Sequence, residues 1–162
     1  METLQAIRTK RAVRKYSEQA VPEEIIRKIL DAGRRAQSSK NTQPWQFVIV
    51  RERATLKQLA ECGRFAAHLA HAAFVIAILT AREWAFDTGQ VAAYLQLAAW
   101  DLGVSSCIAS IYETARAKKI LGAPDELFFE IALACGYAAE APHAPKIGGR
   151  KKLAEIAHWE KW

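Results

Sequence analysis

The sequence predicts one layered domain in which helices pack against a β-sheet, of either the α/β or the α+β class. Helical and strand-like apolar patterns alternate along the chain, and 51% of its 162 residues are hydrophobic, which suits one compact core. Only 8 glycines and 5 prolines occur, and the chain has no repeat or low-complexity tract. We therefore expect residues 1–162 to form a single folded domain.

The first half of the chain is expected to form two helices and two strands. Pro22, followed by two glutamates, marks a helix start, since proline suits the first position and acidic side chains suit the positive end. The run WQFVIV, residues 45–50, alternates between two faces and predicts a strand. A further helix is expected near residues 54–62, and the apolar run 72–79 predicts a strand buried on both faces.

The second half is expected to continue this alternation. Residues 87–102 show the clearest helical pattern, with Asp87 as the N-cap and Gly103 directly after the end. The segment 104–111 is open between a strand and an irregular segment. The remaining predicted elements are a helix closed by Gly122, a strand, and a last helical turn, at residues 114–121, 127–137 and 153–159.

The cysteines and the apolar segments indicate a cytoplasmic protein. Cys62, Cys107 and Cys135 form no CxxC pair, and such an odd, widely spaced set is typical of reduced thiols. The longest apolar run, 72–79, is too short to cross a bilayer, and the N-terminus shows no apolar signal core.

The net charge of +6 is compatible with two kinds of anionic partner. One is a nucleic acid, and the other is a small anion held by a few gathered cations. The basic residues concentrate near both ends of the chain, whereas residues 65–110 are nearly uncharged. Arg11 and Arg14 lie three residues apart and can converge on one anion, although a solvated basic face explains the same cluster.

The stretch AQSSKNTQPW, residues 36–45, carries more hydrogen-bonding groups than a turn needs. A helix C-cap and a proline-directed strand entry account for Pro44 and one serine, and they leave the other donors unexplained. Hydroxyl and amide groups at this density suit a flat heteroaromatic ligand with imide and polyol character.

Other reactive side chains have simpler structural interpretations. His68 and His71 are spaced to share a metal, but no carboxylate or thiol stands at a matching position, which favours structural histidines. Cys107 has no cation near it in sequence and is interpreted as an inert core thiol. The chain has no GxGxxG, P-loop, GxSxG or HExxH motif, which argues against the commoner nucleotide-binding, hydrolase and metalloprotease designs.

Four stretches, taken in order, resemble motifs of the nitroreductase family of flavin oxidoreductases. They are KRAVRKY (10–16), AQSSKNTQPWQFVIV (36–50), DTGQVAAYLQLAAWDLGVSSCIAS (87–110) and ACGYAAEAPHAPKIGGRKKLAEIAHWEKW (134–162). The resemblance covers nearly the whole chain. It implies an α+β, nitroreductase-like fold with a central mixed β-sheet flanked by helices, an intertwined homodimer, and FMN held non-covalently at the subunit interfaces.

The resemblance also assigns residues to the FMN site. The N-terminal motif supplies Lys10, Arg11, Ala12 and Arg14. The polar loop, which reaches the flavin from the partner subunit, supplies Ser38, Ser39 and Asn41. The segment beside the flavin ring supplies Ile108, Ala109 and Ser110. The C-terminal stretch supplies Arg150 for the phosphate, with Lys146 as an additional cation. Two positions depart from the family pattern, since Ala12 replaces its usual serine and Gln37 its usual proline.

The resemblance implies an FMN-dependent oxidoreductase that transfers electrons from NADH or NADPH to nitroaromatic, quinone or similar acceptors by a ping-pong mechanism. The flavin carries the chemistry, so neither a catalytic side chain nor a metal is expected. A flavin-binding carrier or sensor module without its own NAD(P)H turnover is the alternative. Nucleic-acid binding has less support, because the cations do not alternate with aromatic residues.

Overall fold

The computed structural model describes residues 1–81, 85–142 and 149–162. The helices are α1 to α5, at Thr3–Thr9, Glu23–Gly33, Arg53–Ala60, Ala85–Asp101 and Thr114–Leu121. The strands are β1 to β4, at Trp45–Val50, Phe74–Thr80, Ser105–Ser110 and Phe128–Gly136. Short 3₁₀ turns lie at Ser39–Asn41, Ala67–His71 and Leu153–Glu155.

The predicted helices and strands up to residue 137 are confirmed, with small shifts at their ends, whereas the helical turn predicted at 153–159 is only the 3₁₀ turn Leu153–Glu155. The open segment 104–111 contains the strand β3. Gly103 and Gly122 follow α4 and α5 with positive φ angles of 77° and 61°, as expected for glycines that end helices. The prediction for Asp87 is wrong in one respect: α4 begins at Ala85, so this side chain lies within the first turn and is not the N-cap.

The four strands form one sheet in the order β1-β2-β4-β3, and all three pairings are antiparallel. A parallel component is present as an isolated bridge between Ala12 and Ser106, which adds the N-terminal segment to the outer edge of β3. The order leaves β1 and β3 as the two outer strands. They are separated by three strand spacings, about 14 Å.

Two hydrophobic cores cover the two faces of the sheet. On one face, Leu56 and Leu59 of α3 pack with alternate residues of β2, namely Val75, Ala77 and Leu79. On the other, helices α2 and α4 cover the remaining residues of β2, namely Phe74, Ile76 and Ile78. Every residue of β2 is buried, which confirms the prediction of a strand covered on both faces.

The first strand also shows the predicted alternation. Trp45, Phe47 and Ile49 join the core under α2 and α4, whereas Val48 and Val50 join the core under α3. The polar loop that precedes β1 is therefore fixed at its end by the buried Trp45. Among the described helices, none is both long and apolar enough to span a bilayer.

Candidate functional site

The N-terminal segment 10–16 is fixed against the outer edge of β3. The backbone N–H of Val13 donates to the carbonyl of Ser106 at 3.1 Å. The phenol of Tyr16 donates to the carbonyls of Val13, at 2.6 Å, and Ala134, at 3.2 Å. Burial raises the pKa of Tyr16, so the phenol remains a neutral donor. The cationic residues of this segment are therefore held beside β3 and not on a free arm.

Cations from the two ends of the chain lie close together at this edge. Lys10 is half-buried, and burial is the main cause that lowers its pKa. The positive charge of Arg150 lowers the pKa further, whereas Cys107 acts in the opposite direction. Because Arg150 belongs to the C-terminal stretch, the structure brings together two predicted site residues that are far apart in sequence. The additional candidate Lys146 lies outside the described residues.

Arg14 reaches the same region from the N-terminal segment. Its side chain is exposed, and its charge acts on the pKa values of both His68 and Cys107. Arg14 and Lys10 both favour the thiolate of Cys107, but burial outweighs them and raises the pKa of this thiol. The structure thus agrees with the interpretation of Cys107 as an inert core thiol, although it places two cations near it that the sequence did not reveal.

These three cations share one property: within the described ranges, Lys10, Arg14 and Arg150 have no acidic partner within salt-bridge distance. Some surface cations elsewhere are paired, for example Arg27 with Glu23 and Arg116 with Glu61, whereas others among the described residues are not, so the lack of a partner does not by itself mark this cluster. Like charges gathered without a counter-ion repel one another: burial is the main cause of the lowered pKa of Lys10, and the charge of Arg150 adds to it. A bound anion would relieve it.

Arg11 lies in the same segment with its guanidinium turned back towards α1. Its Nη1 donates to the carbonyls of Arg8, at 2.8 Å, and Lys10, at 3.0 Å. These carbonyls are at the C-terminal end of α1, where a cation stabilises the helix. Part of the Arg11 side chain therefore serves as a helix cap, and a phosphate contact by this residue remains a prediction.

The edge strand β3 offers a small surface beside the cations. Ile108 is 41% exposed and Ser110 is exposed, whereas the intervening Ala109 is buried. Ala12, exposed on the neighbouring segment, is bridged to Ser106 of the same strand. Two sets of predicted site residues, Ala12 and Ile108–Ser110, therefore lie on β3 and on the segment bridged to its outer edge. Lys10 and Arg14 belong to the same segment as Ala12.

Gly63 is the residue that lets the turn after α3 approach the end of β3. A Cβ atom added at this position would lie 2.3 Å from the carbonyl oxygen of Ser110 and 2.8 Å from the Cβ of Ala66. We expect Gly63→Ala to lower the free energy of unfolding by about 1–3 kcal/mol, measured by urea denaturation. The matched control is Gly89→Ala in α4, where an added Cβ meets nothing within 4 Å. Equal stability of Gly63→Ala and the wild type would contradict the close approach.

The polar loop 38–41 lies at the other outer strand. It leads into β1, so about 14 Å of sheet separates it from β3 within one chain. Ser39 and Asn41 are exposed. The structure therefore does not bring Ser38, Ser39 and Asn41 to the cationic edge of their own chain.

The backbone of this loop is strained. Lys40, Asn41 and Gln43 have positive φ angles of 51°, 54° and 47°, a region that costs residues with a Cβ about 1 kcal/mol or more. The hydroxyl of Ser38 accepts from the backbone N–H of Gln43 at 2.9 Å and holds the loop in this shape. A second bond joins the amides of Gln43 and Asn41 at 3.2 Å. The loop thus holds three residues at unfavourable positive φ angles, with Ser39 and Asn41 exposed to solvent.

His68 is the residue at this site that the sequence reasoning missed. It was interpreted as structural, and it is indeed buried, with an exposed fraction of 7%. Burial is the main cause that lowers the pKa of its imidazole, the charge of Arg14 lowers it further, and its Nε2 has no hydrogen-bond partner. No spacing or motif in the sequence links residue 68 to residue 14; the effect of Arg14 on His68 depends on how the 3₁₀ turn Ala67–His71 packs against the sheet.

Comparisons with known proteins agree with this architecture. The family model described as "Nitroreductase family" matches residues 7–64 and 63–137. An Archaeoglobus fulgidus protein with the provisional name NADH dehydrogenase/NAD(P)H nitroreductase is 31% identical over 173 residues, covering 99% of both chains. A Methanothermobacter thermautotrophicus protein of the same provisional name is 29% identical, covering 100% of this chain and 88% of its own.

Solved structures confirm the predicted fold. An FMN-dependent nitroreductase from Clostridium difficile has a TM-score of 0.89 at 26% identity, covering 98% of this chain and 99% of its own. A Parabacteroides distasonis protein of the provisional NADH dehydrogenase/NAD(P)H nitroreductase name has a TM-score of 0.89 at 28% identity, covering 99% and 98%. The family model spans most of the sequence and the Archaeoglobus protein matches it from end to end, so this chain belongs to the nitroreductase family.

Proposed function

We propose that this protein is an FMN-dependent oxidoreductase that takes electrons from NADH or NADPH and passes them to a small oxidised acceptor such as a nitroaromatic or a quinone. The observation that carries the proposal is that cations from both chain ends, Lys10 and Arg150, act on each other beside the edge of β3, to which the N-terminal segment is bridged. Family membership and the names of the matched proteins support it. We take residues 1–162 as a single FMN-binding domain.

The described residues fit the chemistry of FMN. Its phosphate is a dianion, and a chain without a glycine-rich phosphate loop must supply side-chain cations. Arg150, with Arg11, would hold the phosphate, and Lys10 and Arg14 would lie along the polar edge of the ring. FMN, when bound, supplies the acceptance and release of the electrons. The side chains bind and orient it, and the exposed apolar surface of Ile108 on the edge strand would exclude water from one part of the ring.

The complete site requires a second copy of the chain in this proposal. The loop 38–41 lies on the outer strand opposite the cations, so its polar groups would reach an FMN only across a homodimer interface. The C-terminal stretch also presents apolar side chains to solvent, with Leu153 71%, Ile156 58% and Trp159 85% exposed. Large apolar groups in a row favour burial against a partner. In a homodimer, the loop 38–41 would contact the flavin of the partner subunit, and the exposed apolar side chains of the C-terminal stretch would be buried against that subunit.

The proposal is tested by the visible spectrum of the purified protein and by anaerobic titration with NADH and NADPH. We expect bound FMN, loss of its absorbance on addition of at least one nicotinamide, and its return when a quinone or nitroaromatic compound is added. Steady-state rates should give the parallel double-reciprocal lines of a ping-pong mechanism. A protein that binds FMN but is reduced by neither nicotinamide would be a carrier or sensor module. A colourless protein that fails to bind added FMN would contradict the proposal.

A further inference from the structure

Helix α4 presents an uncharged, largely apolar stripe to solvent. Its inner face, which includes Val91 and Leu95, is buried in the core. The outward stripe follows the spacing of one helix face and includes Phe86, Gln90, Ala93, Tyr94 and Leu97. Phe86 is 76% exposed and Tyr94 is 44% exposed. No charged residue stands between Asp87 and Asp101, although charged residues make up 25% of the chain. Such a surface favours burial against a second apolar surface.

The two ends of α4 lie at the two separated parts of the proposed flavin site. At the N-terminal end, the backbone N–H of Ala81, shortly before α4, donates to the carbonyl of Pro44, at the end of the polar loop, at 2.9 Å. At the C-terminal end, the indole of Trp100 donates to the hydroxyl of Thr9 at 3.0 Å, and Thr9 directly precedes the cationic Lys10. The 17 residues of α4 span about 25 Å. Within one chain, the helix therefore separates the polar loop from the cations.

An open cavity of about 610 Å³ lies at the C-terminal end of α4. It is lined by residues of α1, of the end of α4 and of the segment after β4, among them Gln5, Thr9, Trp100, Tyr137 and Pro142. Phe86, the most exposed large side chain of the stripe, lies at the opposite end of the same helix. A large apolar side chain at one end and a cavity at the other make this surface self-complementary, as a two-fold symmetric interface requires.

We propose that α4 forms the two-fold interface of a homodimer, with the two copies of the helix packed antiparallel about Ala93. Ala93 is exposed and stands at the middle of Ala85–Asp101, so the small side chains at the centre allow the two helices to approach closely. Phe86 and Trp100 are equally far from Ala93 along the helix. The antiparallel pair therefore places Phe86 of each subunit at the cavity beside the partner subunit's Trp100.

The antiparallel orientation also brings the two parts of the flavin site together. The polar loop at the N-terminal end of one α4 comes to lie beside Lys10, at the C-terminal end of the other. A parallel pair would instead place both polar loops at one end and both cationic segments at the other, and would leave the cavity unfilled. This step rests on the proposed function, whereas the pairing of the helices does not depend on any flavin.

Cysteine cross-linking without flavin tests the pairing. The native Cys62, Cys107 and Cys135 are buried, so an added surface cysteine dominates the reaction with a mild oxidant. Ala93→Cys should join two chains by a disulfide, seen as a band of twice the mass on a non-reducing gel. The matched control is Ala115→Cys, exposed on α5 at the other face of the sheet, which should give no such band.

Phe86→Cys distinguishes the two orientations in the same assay. In the antiparallel pair, its two copies lie about 20 Å apart along the helix axis and should not cross-link. In a parallel pair, they would lie side by side and cross-link. Absence of the Ala93→Cys cross-link, or a Phe86→Cys cross-link of equal yield, would overturn the inference.

The oligomeric state of charged and truncated variants provides a second measurement. Ala93→Arg places a charge at the centre of the interface and should yield a monomer in sedimentation equilibrium, whereas Ala115→Arg should remain a dimer. Phe86→Ala removes the side chain that would occupy the cavity and should raise the dimer dissociation constant about 30-fold. Wild-type dimers of both Ala93→Arg and Phe86→Ala would overturn the inference. If Ala93→Arg fails to fold, Phe86→Ala and the cross-links still decide.

Mixing two variants tests whether the pairing assembles the flavin site. Arg14→Ala alters the cationic part and Asn41→Ala the polar loop, so each variant alone carries one change in both of its sites. In a mixed dimer, one site carries both changes and the other carries none. After subunit exchange of equal amounts, FMN titration should show wild-type affinity in about a quarter of the sites.

The outcomes of this mixture separate the two proposals. Mixed dimers without any recovered site would show that the loop and the cations do not share one site, and would overturn the assembly inferred here. A wild type that binds no FMN would contradict the proposed function, and the Ala93→Cys and Phe86→Cys cross-links would then decide the pairing of α4 by themselves.

Discussion

Replacing Arg14 with alanine is expected to weaken FMN binding by about 10- to 150-fold while leaving the protein folded. The side chain is exposed and makes no ion pair within the described ranges, so the fold loses little when it is removed. A charge-assisted hydrogen bond to a partly buried ligand contributes about 1.5–3 kcal/mol, which gives this range. Arg14 should also affect the rate of flavin reduction by NADH or NADPH, since a cation at the ring favours the reduced, anionic flavin.

Fluorescence titration of the apo-protein with FMN measures the first effect and stopped-flow absorbance the second. The matched control is Arg51→Ala, which removes the same exposed side chain and the same charge at a position after β1, remote from β3. A general loss of positive charge would affect both variants equally. If Arg14→Ala retains wild-type affinity and reduction kinetics, Arg14 is a solvated surface residue and the assignment of the ring edge is wrong.

Replacing Arg150 with alanine is expected to weaken FMN binding about 10- to 150-fold and riboflavin binding much less. The proposed contact of Arg150 is with the phosphate, which riboflavin lacks, so the ratio of the two dissociation constants isolates the phosphate contribution. The same change removes a positive charge that acts on Lys10, and the pKa of Lys10 should therefore rise. NMR titration of the lysine side chains measures that shift without any ligand.

The neighbouring Lys151 provides the control for this experiment. It is exposed and carries the same charge in the same stretch, so Lys151→Ala should leave the FMN-to-riboflavin ratio unchanged. Equal losses of FMN and riboflavin affinity in Arg150→Ala would contradict a phosphate contact. An unchanged pKa of Lys10 would contradict the proximity of the two chain ends.

Most of the fold could be predicted from local patterns. The strand β1 follows from the alternation of WQFVIV, and α5 follows from a helical stretch closed by a glycine with positive φ. The segment of β3 remained open, because SSCIAS has small polar residues on the buried side of an edge strand and shows no clear apolar alternation. The start of α4 was misplaced because Asp87 is a good N-cap residue, and nothing local shows that the helix begins two residues earlier.

The site was predictable only through the family resemblance, and only in part. The resemblance named Lys10, Arg14 and Arg150; the structure fixes the segment of Lys10 and Arg14 against β3, and the charge of Arg150 acts on Lys10, whereas their contact with a flavin remains a prediction. The resemblance gave no indication of the burial of His68 or of the close approach at Gly63, both of which depend on how the segment after α3 packs against the sheet. The separation of loop 38–41 from the cations also depends on the strand order, which a list of elements does not contain.

The most direct test of the account is a crystal structure of the protein grown with FMN. We expect one FMN per chain at the outer edge of β3, with Arg150 at the phosphate, Lys10 and Arg14 along the ring, and the partner subunit's Asn41 completing the site. FMN bound away from β3, or a dimer in which Lys10 and Arg150 face different clefts, would contradict the claim that the two ends of the chain build one flavin site.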